Sequence, residues 1–348
     1  MTGAIGWITA TAFLFFAWLA AMLLTAGARA YALRRALIDV PNERSSHTEP
    51  TPRGGGLSIA ITLVLGLAAL GVSGVLSLNI VWALIGGGAL VAGIGWMDDH
   101  RHVAPRWRIL VHVIAAIWAL YWLGDLSEIT VAGSSWKLSW LGSLLAVIFI
   151  VWLINLYNFM DGIDGLAGVE AVTAGFGGAA LLWWAGAPGL AMAAALLAAA
   201  SGGFLRWNWP PAKIFMGDIG SGLLGYCFAT LALAGEQNGA LPATAWLLLL
   251  GVFLMDATFT LIHRVIRGEQ WYTAHRSHAY QRLVQLGYSH RQVTARVAAA
   301  NVLLLLPAAV LSVVYPGTVF GCLIGMTAGG WWLWYTVQKR FRDAATAK

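Results

Sequence analysis

Apolar residues run through this chain in long uninterrupted stretches, separated by short segments where charge and glycine gather. The stretches lie near 4–27, 57–72, 80–97, 109–124, 142–157, 166–184, 190–205, 221–234, 243–263, 294–314 and 318–337. Most have the length a helix needs to cross a hydrocarbon core, about 17–25 residues. None alternates apolar with polar positions as a membrane strand must, which excludes a barrel. The pattern predicts an all-α, polytopic transmembrane bundle of about eleven spans. Span 221–234 is short, and the polar residues between 155 and 166 blur a boundary. No polar segment is long enough for a separate soluble domain, so residues 1–348 are expected to form one integral membrane domain. The first stretch has no basic residue before it and no clear small-residue cleavage site, and reads as a retained span.

Composition agrees: 59% of residues are hydrophobic and 10% charged, against roughly 25% charged in soluble domains. The formal charge of +6 does not indicate nucleic acid, because the basic residues are scattered through short loops without a binding motif. Their scatter is one-sided. Of 21 Lys and Arg, 20 fall in 28–56, 98–108, 206–220, 264–296 and the C-terminal tail, and only Lys137 falls in the alternate loops. The positive-inside rule then predicts a cytoplasmic C-terminus and a periplasmic N-terminus. Cys227 and Cys322 lie in apolar stretches without metal or redox spacing and read as packing residues.

The carboxylates gather on the same side. Asp98 and Asp99 close the third span, Asp218 sits in FMGDIGSG and Asp256 lies in the ninth span. Asn155, Asn158, Asp161 and Asp164 follow at steps of three, a spacing that on a helix keeps side chains on one face. Acidic groups at membrane depth are costly and face a wet cavity or bind something. Five converging carboxylates call for a cation, and Mg²⁺ suits oxygen ligands that share it with substrate phosphates, with Mn²⁺ as a substitute. Arg53 beside Gly54–Gly56, Arg106, Arg108 and the basic run 264–282 supply a cationic rim fit for phosphate. Each element has a plainer reading: capping aspartates, asparagines as interhelical glue, glycines for close packing, ordinary loop histidines. Their occurrence together on one side favours a diphosphate-handling site with a lipid phosphate as one partner.

In order along the chain, DVPNERSSHTEPTPRGGGLSI (39–59), GWMDDHRHVAPRWR, NLYNFMDGIDGLAG, FMGDIGSG and DATFTLIHRVIRGEQWYTAHRSHAYQR resemble the loops of the polyprenyl-phosphate N-acetylhexosamine-1-phosphate transferases, relatives of phospho-N-acetylmuramoyl-pentapeptide transferase. The resemblance implies transfer of N-acetylhexosamine 1-phosphate from a UDP-N-acetylhexosamine to undecaprenyl phosphate, with release of UMP, at the cytoplasmic face of a bacterial inner membrane. It implies Asp218 as a Mg²⁺ ligand, Asp98 as the base toward the lipid phosphate, and Asp99 as its support or a second metal ligand. Asn155, Asn158, Asp161 and Asp164 would hold the nucleotide and metal-bound diphosphate. Arg264 and His278 would face the sugar-nucleotide phosphates, with His275 among the substrate-binding residues, and Arg106 or Arg108 the lipid phosphate. Direct attack and a covalent aspartyl route both remain open. The stretch HRSHAYQ replaces the pentapeptide branch's histidine run, placing Tyr280 and Gln281 where further histidines stand. That departure points to the branch that initiates O-antigen or other surface polysaccharides. The rival class, a cation-coupled transporter, needs polar groups near the midplane and repeats that the hydropathy does not display. Glycine-rich spans allow packing within or between chains, so a homodimer is admissible.

Overall fold

The computed structural model describes residues 6–41, 49–101, 103–270 and 275–346. Arg44 in the first basic loop, the rest of 42–48, His102 after the aspartate pair, and 271–274 of the last large loop lie outside the described residues.

Within the described residues each predicted apolar stretch falls on helix, though fewer than eleven of them have the length and hydropathy of a full span. The helices are α1 (Trp7–Arg34), α2 (Gly56–Val72), α3 (Leu78–His100), α4 (Pro105–Leu123), α5 (Trp140–Phe159), α6 (Leu166–Trp184), α7 (Pro188–Asn208), α8 (Asp218–Gln237), α9 (Ala243–Leu249), α10 (Gly251–Ile266), α11 (Ala279–Gln285), α12 (His290–Ala300), α13 (Leu306–Val314) and α14 (Val319–Thr346). Among the described residues, eight segments are long and apolar enough to cross a membrane, α12 and α13 counting as one of them, Leu306 following directly on a π-helical turn at Asn301–Leu305. Helices α9 and α10 make a ninth only as a pair bent by 81°. Helix α2 has 17 residues, and in α14 glycine and tryptophan dilute the apolar run. The architecture is the expected helical membrane bundle.

Two short hairpins accompany the helices. Ile38–Asp39 (β1) pairs with Thr51–Pro52 (β2), and Glu128–Val131 (β3) with Ser134–Lys137 (β4), both antiparallel. The second hairpin turns at Ala132–Gly133, both with positive φ. Its Thr130 amide donates to the buried Glu236 carboxylate, which also accepts from the Ala243 amide and so ties the hairpin to the end of α8.

These helices are apolar all round, so hydropathy alone cannot say which side faces lipid; residue size can. Helix α8, buried along nearly its whole length, is the axis, with α3 and α5 packed on it. Helix α7, rich in alanine and glycine, is sandwiched by α1 and α6. Bulkier side chains such as Phe16, Trp82, Ile148 and Trp332 are exposed on the outside, as a lipid-facing surface requires. Close approach is bought at specific glycines. A Cβ on Gly95 of α3 would collide with the Asp218 backbone, and one on Gly225 of α8 with that of Leu153.

Candidate active site

The ends of α3, α4, α5 and α8 meet at one end of the bundle and bring four motifs together. Asp98 lies in the last turn of α3 and accepts from the Val103 amide at 2.7 Å, closing the short turn into α4, which starts with proline. Its other oxygen is 2.7 Å from Nη1 of Arg108 on α4. Nη2 of the same guanidinium is 3.1 Å from Asp218, the first residue of α8. Asn158, in the last turn of α5, donates to Asp218 at 2.9 Å and to Ser221 at 2.9 Å, and its amide oxygen lies 3.4 Å from Arg108. One guanidinium therefore bridges two carboxylates and an amide, as a planar fork can and a point charge cannot.

Asp99 turns the other way. It is buried, and its two oxygens accept the amides of Asp218 (3.1 Å) and Ile219 (3.3 Å), so a side chain of α3 caps the N-terminus of α8. An anion there meets both the unpaired amides and the helix dipole. Gly217, with φ of +76°, makes the approach possible, since a Cβ there would strike the Asp99 carboxylate. Arg53 donates to the Asp99 carbonyl oxygen, holding the first loop against the end of α3.

The three-residue spacing is helical only in part. Helix α5 ends at Phe159, so Asp161 and Asp164 lie in the loop before α6 and not on a helix face. Asn155 is one turn deeper than Asn158, bonded to Val151 and 3.3 Å from Nδ1 of the buried His112 on α4. Asp161 faces the cluster: burial first, then the charges of Asp218, Asp99 and Asp164, push its carboxyl well above the usual range. Among the described residues no hydrogen-bond donor reaches that carboxylate. Asp164 is spent on the scaffold, with one oxygen on the Ala212 amide (3.0 Å) and the other 3.2 Å from His290.

The glycine run does not offer a free amide cradle. The Gly55 and Gly56 amides donate to Phe215 and Met216, pairing this turn with the segment that leads into Asp218. Asp256, counted with the carboxylates in the sequence, accepts the Ala279 and Tyr280 amides and thereby starts α11. Arg106 is exposed, its guanidinium over the Trp107 ring and away from the carboxylates. Arg264 and His275 line a separate cavity of about 230 Å³ with Arg267, Arg276 and Arg282. Arg264 there pairs with Glu269 at 2.8 Å. His275 is pushed down to about 3 by burial and by the neighbouring His278 and Arg264, so it is neutral at physiological pH. His278 is buried, its ring between His275 and Tyr280 and its Nδ1 3.5 Å from Asp256. Tyr280 donates to the Phe159 carbonyl and packs against Gly162, joining this histidine segment to the Asp161 loop.

Sequence reasoning missed His112 and Ser221, each one turn along a helix from a residue it had singled out: Arg108 plus four and Asp218 plus three. As for a metal, no three His, Cys, Asp or Glu groups converge as a closed cage among the described residues. The donor set still suits Mg²⁺, which takes one or two carboxylates and leaves its other positions to water and phosphate. Asp218 keeps 30% of its side chain accessible, and Asp161 lies among carboxylates that raise its pKa.

Residues 81–236, which carry Asp98, Asp99, Arg108, Asn158, Asp161 and Asp218, match the model of glycosyl transferase family 4. The chain is 30% identical over 279 residues to a probable undecaprenyl-phosphate N-acetylglucosaminyl 1-phosphate transferase of Bacillus subtilis, covering 78% of this chain and 76% of that protein. It is 31% identical over 301 residues to the undecaprenyl-phosphate alpha-N-acetylglucosaminyl 1-phosphate transferase of Salmonella typhimurium, covering 82% and 77%. A phospho-N-acetylmuramoyl-pentapeptide-transferase of Moorella thermoacetica is 32% identical over 240 residues, covering 62% and 69%.

Proposed function

The chain belongs to glycosyl transferase family 4, and from that membership we propose that it moves N-acetylhexosamine 1-phosphate from a UDP-N-acetylhexosamine to undecaprenyl phosphate. An oxygen of the lipid phosphate attacks the sugar-bearing phosphorus of the donor, the bond to the bridging oxygen breaks, and UMP leaves. The reading places this at the cytoplasmic face of a bacterial inner membrane, where the twenty clustered Lys and Arg lie. It also places the product at the start of O-antigen or another surface polysaccharide.

The observation that carries the reading is the Asp98–Arg108–Asp218–Asn158 cluster. Phosphoryl transfer asks the protein for positioning and charge neutralisation more than for covalent chemistry. With Arg108 drawn onto a substrate phosphate, Asp98 and Asp218 would be released together. Asp98 is then free to orient or deprotonate the lipid phosphate, and Asp218, with Asp161, to hold the cation. Mg²⁺ bound there would screen the diphosphate and stabilise charge on the departing UMP. Asp99 keeps the start of α8, and so Asp218, in place. The pentapeptide alternative is disfavoured by Tyr280, which in place of a histidine donates its hydroxyl to the Phe159 carbonyl and not to the cavity.

The test is UMP exchange: purified protein, Mg²⁺, a panel of UDP-hexosamines and labelled UMP, with label expected in the sugar nucleotide. Asp218→Asn should abolish exchange while the protein inserts and purifies normally. Near-native exchange in that variant would overturn the assignment of Asp218.

A further inference from the structure

Away from the carboxylate cluster, Glu170 of α6 is fully buried in the bundle and faces Asn301, the first residue of the π-helical turn that follows α12. The Asn301 amide donates to Glu170 Oε2 at 2.6 Å and to Thr173 Oγ1 at 2.9 Å. That leaves Glu170 Oε1 and Asn301 Oδ1, both buried and both without a hydrogen-bond partner. Two orphaned acceptors on side chains already joined by one hydrogen bond are an expensive arrangement, since each forfeits its full hydration. A carboxylate has no hydrogen to offer an amide oxygen; a carboxylic acid has one. Among the described residues no cation pairs with either acceptor. Helices α9 and α13 carry no ionisable side chain, and α7 carries only Arg206, in its last turn. On α12, Arg296 lies over the Tyr288 ring, and His290 faces Asp164. Tyr157 of α5 donates its hydroxyl to the Ala167 carbonyl.

We propose that Glu170 is held as the neutral acid and forms a two-hydrogen-bond clasp with Asn301, its Oε1–H donating to Asn301 Oδ1, and that this clasp positions the loop of Asp161. The mechanical link is α12. Its C-terminal end is fixed to α6 by the clasp, while near its N-terminal end His290 lies 3.2 Å from the Asp164 carboxylate and Thr294 donates to the Asp164 carbonyl at 2.9 Å. Sliding α12 along α6 would carry both contacts away from the loop. Glu170 and Asn301 are thus positioning residues; their effect on turnover rests on the transferase reading, whereas the proton on Glu170 does not.

The test uses the full chain in lipid nanodiscs. The infrared difference spectrum of native protein against E170Q should contain the carbonyl stretch of a protonated carboxyl at neutral pH; its absence overturns the clasp. Gln reproduces both hydrogen bonds, so E170Q should keep thermal stability and UMP exchange within about twofold of native. E170L keeps the volume but breaks the clasp, and should raise KM for the sugar nucleotide about fivefold or more with a smaller change in kcat. E170Q as impaired as E170L would mean that an ionised Glu170 is required, and would refute the proposal. Should E170L fail to fold, E170Q and the infrared band still decide. Should native protein show no exchange at all, the transferase reading fails while the infrared band continues to judge the clasp.

Discussion

Replacing Arg108 by methionine removes the charge that bridges Asp98 and Asp218 while keeping much of the volume. The guanidinium stands 2.7 Å from one carboxylate and 3.1 Å from the other, and the three side chains are only 25%, 10% and 30% accessible. At an effective dielectric of about 20, each contact has a gross Coulomb energy of about 5–6 kcal/mol. Desolvation of the three groups offsets most of that, and deleting one partner of such a buried set costs on the order of 3 kcal/mol. A melting temperature lower by about 5 °C in Mg²⁺-free buffer is therefore expected for R108M. Mg²⁺ should raise the melting temperature of R108M more than that of the native protein, because the cation can occupy the charge deficit. R108K should fall between, since one ammonium cannot fork to both carboxylates. Activity by UMP exchange should fall about 100-fold or more in R108M. Differential scanning fluorimetry of the three proteins with and without Mg²⁺ checks the stability claim. An R108M variant as stable as native in EDTA, with no extra Mg²⁺ effect, would refute the bridging role.

Three further outcomes follow from the same geometry. Asp161 is raised by burial and by neighbouring carboxylates, so the folded protein holds a proton that the unfolded chain gives up near pH ~4. This group therefore costs stability increasingly as pH rises through its raised pKa. In Mg²⁺-free buffer D161N should gain stability relative to native between pH 5 and 8, yet lose exchange activity; parallel stability curves for the two proteins would count against a cation-short Asp161. G217A combines a positive φ with a collision against Asp99 and should lose about 2 kcal/mol or more together with activity, whereas G239A, with positive φ but open space around it, should lose only the backbone part. R106A, exposed and stacked on Trp107, should change exchange by no more than about threefold; a loss as large as that of R108M would mean that Arg106 too meets a substrate phosphate.

The helices were legible because lipid imposes one rule, a helix-length apolar run, and the run at 166–184 coincides with α6 to the residue. What hydropathy could not convey is which helix is central, since α8 and the mostly lipid-exposed α1 are both apolar all round. The short hairpin at 128–137 escaped because its fixing partner, Glu236, is over a hundred residues away. At the site, residue types and their common end of the bundle were readable, and Asp98, Asp218, Asn158 and Arg108 do come together. Individual roles were not. A carboxylate that binds a ligand and one that caps a helix look the same in a sequence, and here Asp99, Asp164 and Asp256 each spend both oxygens inside the protein. The glycines of 54–56 likewise read as a phosphate cradle, until the Gly55 and Gly56 amides are seen donating to Phe215 and Met216.

That division of labour explains why so many carboxylates can share one end of a membrane bundle. Repulsion among them would be prohibitive if all were solvated anions aimed at one cavity. Instead Asp99 is engaged by the start of α8, Asp256 by the start of α11, and Asp164 by a backbone amide and His290. Arg108 bridges Asp98 and Asp218, one positive charge between two carboxylates. Asp161 is left without a donor among the described residues, and burial and its carboxylate neighbours raise its pKa. The scaffold carboxylates therefore set the position of the others through backbone that cannot shift without uncapping a helix, and the carboxylates short of positive charge lie where a cation and a diphosphate would enter. Substitutions at Asp99 or Asp256 should accordingly be read first through stability, and those at Asp218 or Asp161 first through the Mg²⁺ dependence of exchange.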